Sequence, residues 1–531
     1  MVRGYVPLDD NAIVETRARD VLSARIPLLG TVSSASQTGA GPARNVVHHP
    51  GPLLFDLLAI PVRLLPNGAG VALGVASINI AAVVTVAWCA CRALGTAGAC
   101  VVMVATGLLM WSFGSESLFE VWQPIVTLLP LLVLLVAGWG WATGDDVLAI
   151  PAVVAASFVV QTHGSYVLLG PAVLALAAAC RLLNRSESPL QRRPLLVAAG
   201  LVVLAWVQPI IDQLFGSGNL GAILSRASSS SADDQHLGVV DAVRAAAMVL
   251  VRPPWWTRGG VDTALPNGGG FVNDERGRVF EPDWMALPLA LGGLALIVAA
   301  LVLVATLGRR RGDEVLTSGA VIGVGALLVA IATLARLPVD AFGFTAHKAR
   351  WLWPIGAYLT AFGFVALLRL DVPASPRRVT LSLVLVGAVA TVATVPTASL
   401  LVSPAQYEAG SAGVARDLRD ALGALEDRGV VFLDLAGRAF PDPYNDTVAA
   451  GMTARGIPFR VEGSYPIGQY GDRRRLDETV GVDATVRVFT GAGTESMPAS
   501  WDVVVRLFDG ERPVVLAVTD GLVRTTDAPS G

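Results

Sequence analysis

Long apolar runs separated by short polar segments fill most of the chain between residues 69 and 402. A helix needs about 20 apolar residues to cross the roughly 30 Å hydrocarbon core of a bilayer. Nine runs predict such spans, at 69–91, 97–113, 124–142, 166–182, 195–214, 286–307, 315–336, 350–369 and 379–401. A shorter run at 147–161 predicts a tenth, with a re-entrant or tilted segment as the alternative. The pattern therefore predicts an all-α polytopic membrane bundle of about ten spans.

Two amphipathic segments outside these runs predict helices at the membrane surface. The polar segment 1–68 contains one apolar piece, Pro52–Leu65, which charged residues interrupt. It predicts an interfacial helix and not a crossing. Residues 236–260 predict a second such helix, with Trp255 and Trp256 at the depth of the lipid headgroups.

After Ser403 the pattern changes to alternating helix and strand. Helices are predicted at 406–428 and 446–457, and strands in VVFLDL, PFRVEG, ATVRVFTG, WDVVVRLF and RPVVLAV. Such alternation predicts a small α/β domain. The predicted organisation is a first loop, 1–68, a transmembrane domain, 69–402, with a long loop at 215–285, and a C-terminal domain, 403–531.

Composition agrees with a membrane protein and excludes other classes. The chain has 531 residues, of which 53% are hydrophobic and 15% are charged, against about 25% charged in soluble proteins. The net charge is only −3, and no basic block is long enough to follow a phosphate backbone, so nucleic acid is not an expected partner. The four cysteines lie in or beside apolar runs and predict neither a disulfide framework nor a zinc site.

The arginines predict the orientation of the bundle. Most arginines of the short loops fall on one side if ten spans alternate, and that side should be the cytoplasm. Residues 1–68, 215–285 and 403–531 then lie outside a plasma membrane. An outside segment of this length before the first span predicts either that the first helix translocates it or that one more span precedes it, and the second interpretation is favoured.

Acidic residues near apolar spans are costly, so they are candidates for function. The adjacent carboxylates Asp9 and Asp10 suit a general base or ligands of a divalent cation such as Mg²⁺ or Mn²⁺. The alternative is an N-cap for a helix that begins at Asn11. Glu116 and Glu120 would share one helical face, although a solvated turn has the same pattern.

Histidine and cationic residues complete the candidate set. His163 ends a short apolar run and is either a cavity residue or a hydrogen-bonded cap. His347, Lys348 and Arg350 follow a predicted span in FGFTAHKARWLW. They suit binding of a phosphate at the membrane surface, or they are interfacial anchors.

Several ordered motifs resemble a known family. They are VPLDDNAIVETRARDVLSARIPLLGTVSSAS, HHPGPLLFDLLAIPVRLL, FEVWQPIVTLLPLLVLL, SFVVQTHGSYV and WVQPIIDQL. Together they resemble actinobacterial membrane proteins of the C-type glycosyltransferase (GT-C) superfamily, over roughly residues 5–400. The resemblance implies a helical bundle with an extracytoplasmic C-terminal domain. It also implies that the family's first transmembrane helix, which precedes the acidic loop, is absent from this chain.

The resemblance further implies an activity and roles for the candidates. The donor would be a sugar on polyprenyl phosphate, and the acceptor a cell-envelope glycan, lipid or protein. Asp9 and Asp10 match the family's catalytic or metal-binding acids. Glu116, Glu120 and His163 would line the acceptor cavity. His347, Lys348 and Arg350 would bind the donor phosphate, although they match the family only in their location.

Two other function classes remain open from the residues. A transporter or flippase of lipid-linked sugars predicts ionisable groups near the middle of the bilayer and two related halves. The chain has few charges within its spans and no evident repeat. A non-catalytic envelope-assembly protein predicts only that the C-terminal domain binds a glycan or a protein.

Overall fold

The computed structural model describes most of the chain. The described residues are 5–33, 46–66, 68–114, 118–184, 189–228, 236–251, 255–256, 284–337, 344, 346–370, 409–436, 443–477, 479 and 481–524. The predicted span at 379–401 lies outside the described residues. So do residues 257–283 of the predicted long loop at 215–285.

Thirteen α-helices precede the C-terminal domain within the described residues. They are α1 (Asp10–Asp20), α2 (Leu53–Leu64), α3 (Ala69–Phe113), α4 (Gln123–Val126), α5 (Leu128–Ala142), α6 (Ala149–Thr162), α7 (Tyr166–Leu183), α8 (Arg192–Phe215), α9 (Asn219–Ser228), α10 (Gly238–Leu250), α11 (Leu287–Arg311), α12 (Glu314–Ala335) and α13 (Leu352–Arg369). Seven of the described helical segments are long and apolar enough to cross a membrane, with α4 and α5 forming one segment. The α6 segment is shorter, as its sequence predicts.

The 45-residue α3 contains two of the predicted spans. A straight helix of that length would be about 68 Å long, roughly twice the hydrocarbon core. The backbone leaves the helical region at Gly95, with φ 70° and ψ −177°. The amide of Asn79 in the first half donates to the carbonyl oxygen of Leu118, just beyond the second half (2.9 Å). The two halves therefore form a hairpin.

Replacing Gly95 by Ala is expected to lower the free energy of unfolding by about 1–3 kcal/mol, because this backbone region is accessible essentially to glycine alone. An added Cβ would have no atom within 4 Å, so the cost would come from the backbone. Gly200 in α8 has the same open surroundings in a regular helix, and Gly200→Ala should be neutral or stabilising by up to about 1 kcal/mol. Thermal unfolding in detergent compares the two. Equal stabilities would contradict the assigned strain.

Exposure of the helices follows their place in the bundle. The α4–α5 segment is almost entirely buried, whereas α8 and α11 expose most of their apolar residues, as lipid-facing helices do. The prediction that residues 236–260 lie on the membrane surface is wrong for α10, which buries one face against α11, α12 and α13. The prediction also fails for Trp255, which is buried and donates from Nε1 to the Thr360 hydroxyl (3.0 Å).

The bundle has two chemically different ends. One, called the arginine end, has a cavity of about 1110 Å³ lined in part by Arg92, Arg311 and Arg369. There Asp146 forms a buried, bidentate ion pair with Arg181 (2.8 and 2.9 Å). The other end, called the loop end, contains residues 5–33 and the start of α3.

The C-terminal domain contains a five-stranded mixed sheet. Its strands are β1 (Val431–Leu433), β2 (Phe459–Arg460), β3 (Ala484–Thr490), β4 (Asp502–Asp509) and β5 (Arg512–Asp520). Its α-helices among the described residues are α14 (Ala409–Ala421), α15 (Tyr444–Arg455) and α16 (Ser464–Tyr470). The strand order is β2-β1-β3-β5-β4, with β2, β1 and β3 parallel and β5 antiparallel to β3 and β4. The predicted alternation is confirmed, although α16 was not predicted.

Candidate functional site

The acidic pair begins α1 at the loop end. Asp9 is at the N-cap position but makes no side-chain capping hydrogen bond, so capping does not account for its carboxylate. Among the described residues it is the only non-glycine with positive φ (46°). Such a backbone costs about 1–3 kcal/mol and is typical of functional sites. The Asp9 amide donates to the carbonyl oxygen of Pro443 in the C-terminal domain (3.3 Å), which helps to hold this conformation.

The loop between α3 and α4 meets the start of α1. The indole Nε1 of Trp122 donates to the Asp10 carboxylate (3.1 Å). The Asn11 amide donates to the carboxylate of Glu120, which also accepts the backbone N–H of Trp122 (3.1 Å). The structure therefore brings Asp10 and Glu120 into one hydrogen-bonded group. Glu116 lies outside the described residues.

Glu120 is a carboxylic acid in a partly buried position, and burial changes its pKa. Burial raises the pKa of its carboxyl above the usual value of 4.5, against the lowering effects of the Trp122 N–H, the Asn11 amide and the charge of Arg350. Arg350 is thus close enough to act on this acid. Lys348 lies in the short turn Ala346–Ala349 before α13, Arg350 directly follows that turn, and both are partly buried. His347 is in the same turn, but its side chain is not among those described.

Replacing Glu120 by Gln is expected to change how stability depends on pH. Because the folded-state pKa of Glu120 is raised, the wild type loses stability as the pH rises from about 4.5 through that higher pKa. The Glu120→Gln variant keeps an acceptor for Asn11 without this loss. The variant's Tm minus that of the wild type should therefore increase between about pH 4 and pH 7. A flat difference for Glu120→Gln would contradict the raised pKa.

His163 belongs to a neighbouring histidine pair that sequence reasoning missed in part. Its ring centroid lies 5.0 Å from that of His49. Each Nδ1 accepts a backbone N–H, from Gly164 to His49 (3.1 Å) and from Ser165 to His163 (3.3 Å). Burial lowers the pKa of His163 to about 4 and that of His49 well below 6.5. Both rings are therefore neutral at pH 7 and offer hydrogen bonds but no charge.

One hydrogen-bonded chain links the histidine pair towards the acidic group. Tyr166, which stacks edge-on against His163, shares a hydrogen bond with the Thr127 hydroxyl (2.8 Å). Thr127 in turn donates to the carbonyl oxygen of Gln123 (2.8 Å), which follows Trp122 in sequence. The pair and the acids are thus adjacent regions of the loop end.

The C-terminal domain also holds α1 through two buried ion pairs. Asp20 accepts both Nη atoms of Arg474 (2.6 and 2.8 Å). Glu15 accepts Arg419 (2.7 Å) and Arg19 (3.0 Å). Burial raises the pKa of Glu15, but the two guanidiniums outweigh it and lower the pKa overall. We call the pairs Glu15–Arg419 and Asp20–Arg474 the α1 clamp.

The clamp continues to the acidic pair itself. The Thr447 hydroxyl in α15 donates to the carbonyl oxygen of Pro7 (3.0 Å), and Ile13 of α1 lies in the hydrophobic core of the C-terminal domain. The only sequence signal for these contacts was the density of charge in ETRARD. Neither partner arginine had a pattern that indicated where it would bind.

The acidic pair Asp9 and Asp10 is also the predicted site for a divalent cation. Within the residues that the structure describes, no three His, Cys, Asp or Glu side chains are grouped to bind a metal ion. Mg²⁺ is commonly bound by one or two carboxylates together with water and substrate phosphate, so Asp9 and Asp10 would need such added ligands to hold it. Binding of a divalent cation to the pair stays a prediction.

The cavity at the arginine end has none of Asp9, Asp10 and Glu120 in its lining, so it does not mark the candidate site. The convergence of acids, a cation and strained backbone at the loop end locates it instead.

Comparison with solved structures identifies the fold. The chain is similar to ArnT from Cupriavidus metallidurans in the apo state, with a TM-score of 0.52 and 12% identity, over 97% of this chain and 94% of that chain. ArnT bound to undecaprenyl phosphate gives 0.46 and 12%, over 96% and 94%. The archaeal oligosaccharyltransferase AglB from Archaeoglobus fulgidus, in complex with an inhibitory peptide and a dolichol-phosphate, gives 0.37 and 13%, over 90% and 64%.

The predicted helical fold with a small C-terminal sheet is confirmed in outline by the likeness to ArnT. The number of spans, the domain boundaries and the sidedness stay predictions. No protein-family model and no curated protein sequence matches the chain.

Proposed function

We propose that the chain is an integral membrane glycosyltransferase that transfers a sugar from a polyprenyl-phosphate donor to a cell-envelope acceptor. The observation that carries the proposal is the strained acidic start of α1, beside Glu120 and within electrostatic reach of Arg350, on an ArnT-like fold. ArnT itself binds undecaprenyl phosphate. The active site and the C-terminal domain would both lie outside the plasma membrane.

The proposed reaction is an inverting displacement at the anomeric carbon. The acceptor hydroxyl oxygen forms the new bond to this carbon while the bond from carbon to the donor phosphate oxygen breaks. The acceptor proton passes to the carboxylate of Asp9 or Asp10, and the electron pair of the broken bond leaves with the lipid phosphate. Lys348 and Arg350 stabilise that phosphate, Lys as a point charge and Arg as a two-pronged donor.

Neutral side chains would position the acceptor sugar. The rings of His49 and His163 each use Nδ1 as an acceptor, which places the ring proton on Nε2 as a donor. A saccharide hydroxyl can accept from such a donor. Glu120, with its raised pKa, is poised to bind a second hydroxyl. Glu116 and His347 keep their sequence-predicted roles in the acceptor cavity and at the donor phosphate.

The test is a transfer assay with the purified full chain in liposomes. A panel of polyprenyl-phosphate sugars is supplied with a cell-envelope extract, and labelled sugar is followed into the acceptor fraction. The wild type should transfer at least one donor sugar, and the double variant Asp9→Asn/Asp10→Asn should not. If the labelled donor lipid instead moves between leaflets at the same rate in both proteins, a flippase replaces the proposal. The absence of both activities would favour an assembly role.

A further inference from the structure

We propose that a crevice in the C-terminal domain binds a small oxyanion, such as a phosphate monoester or a sugar that carries a carboxylate. The crevice has a volume of about 420 Å³, within the range of small-molecule sites. It is separate from the acidic group at the start of α1, and the inference does not rest on the proposed sugar transfer.

Topology places the crevice where open α/β sheets bind ligands. β1 lies between β2 and β3, all parallel. The chain leaves β1 through α15 to reach β2 on one side, and later returns to β3 on the other side. Such a reversal opens a gap beyond the carboxyl ends of the two diverging strands, which is the usual ligand position. The lining includes Asp434 after β1 and Thr490 at the end of β3.

The charge of the lining favours an anion. Asp434 accepts Nη1 of Arg487 (3.2 Å) and the backbone N–H of Ala436 (2.9 Å), so this carboxylate and this guanidinium balance each other. Arg512 also lines the crevice. Among the described residues it makes no ion pair, and its Nη2 donates to the neutral Thr490 hydroxyl (2.7 Å). The described lining thus has two cationic side chains and one anionic side chain, a net charge of one positive unit, although the Asp509 carboxylate lies nearby on β4 opposite Arg512.

Both guanidiniums are held in place before any ligand arrives. Arg487 lies over the ring of Phe489 (5.0 Å from Cζ to the centroid) in addition to its pair with Asp434. Thr490 holds Arg512. A Cβ on the lining residue Gly493 would meet no atom of the described residues within 4 Å, so none of those residues fills the space beside it. A preorganised donor next to open space is what oxyanion binding requires.

The inference is tested by isothermal titration of the full chain in detergent. The probes are inorganic phosphate, glucose 6-phosphate and glucuronate, with glucose as the neutral comparison. We expect at least one anion to bind to the wild type and glucose not to bind. Arg512→Gln should weaken that binding at least tenfold, and Thr490→Val, which releases Arg512, should weaken it severalfold. The relative affinities for the phosphates and glucuronate identify the preferred oxyanion.

A control variant separates the crevice from other cationic surfaces. Arg506→Gln removes an exposed arginine on the neighbouring strand β4. It should bind the anion as the wild type does. Thermal unfolding without ligand checks that each variant is folded. The inference is overturned if no anion binds, if glucose binds equally, if Arg512→Gln retains full affinity, or if the control variant loses it.

Discussion

Replacing Asp10 by Asn is expected to lower kcat for sugar transfer by about 10²–10⁴-fold, the usual contribution of a general base. The amide cannot accept the proton of the acceptor hydroxyl. It keeps the shape of the carboxylate and an oxygen that can still accept Nε1 of Trp122, so the fold should be unchanged. KM for the lipid donor should change little, because the donor phosphate is assigned to Lys348 and Arg350. Initial rates against donor concentration measure both constants.

Asp9 permits a sharper test, because its backbone is strained. Asp9→Gly should raise the free energy of unfolding by about 1 kcal/mol, since glycine accepts a positive φ without steric cost. The same substitution should lower transfer if this carboxylate acts in the reaction. A variant that is more stable and less active is the expected signature of strain kept for function.

The control for both acids is Asp417→Asn, an exposed residue on α14. It should leave stability and transfer at the wild-type values. If Asp10→Asn and Asp9→Gly both transfer at the wild-type rate, neither acid is the base. If Asp9→Gly is less stable than the wild type, the positive φ at Asp9 is not a source of strain.

Replacing Arg474 by Ala is expected to lower the free energy of unfolding by about 3–5 kcal/mol, because it leaves the buried Asp20 carboxylate without its bidentate partner. Arg17, 3.0 Å from Asp20, would compensate in part. Arg474→Lys should fall between, since it keeps the charge and loses the paired geometry. Thermal unfolding in detergent measures the series.

Arg475→Ala is the matched control one residue away. Arg475 forms an exposed pair with Asp472, and such surface pairs contribute about 0–1 kcal/mol. A similar Tm for Arg474→Ala and Arg475→Ala would show that the α1 clamp does not hold the domain. Limited proteolysis of the two variants adds a local measurement, because a released C-terminal domain should be cut earlier.

The α1 clamp gives the C-terminal domain a structural role at the site. Pro443, the N-cap of α15, accepts the backbone amide of Asp9, and Thr447 of α15 donates to the carbonyl oxygen of Pro7, two residues earlier. The C-terminal domain can therefore be needed for transfer without supplying a catalytic residue. The same helix borders the crevice proposed above, because Asn445 lines it.

Hydrophobic periodicity alone predicted most of the fold correctly. The spans between 69 and 369 correspond to helices, and the strands after residue 430 form one sheet. Local pattern is sufficient here because a helix satisfies its own backbone and an apolar run reports its own burial. The break within α3 was also visible, as two runs separated near Gly95.

Periodicity could not predict whether lipid or protein covers the apolar face of an amphipathic segment. The apolar face of α10 fits a lipid surface and a protein core equally well, and Trp255 is an anchor in one case and a core residue in the other. Packing of α10 against α11, α12 and α13 decided between them. A single sequence carries no information about which partner covers an apolar face.

The candidate site was also predictable only in part. The sequence by itself determined that Asp9, Asp10, Glu120 and His163 stand next to apolar spans, where charge is costly. Only the tertiary structure brought Asn11 and Trp122 to the acids and paired His49 with His163. It also brought Arg419 and Arg474 of the C-terminal domain into ion pairs with residues of α1. These partners are separated by up to 454 residues from the groups they contact. Their pairing results from chain folding over long distances, which no local pattern encodes.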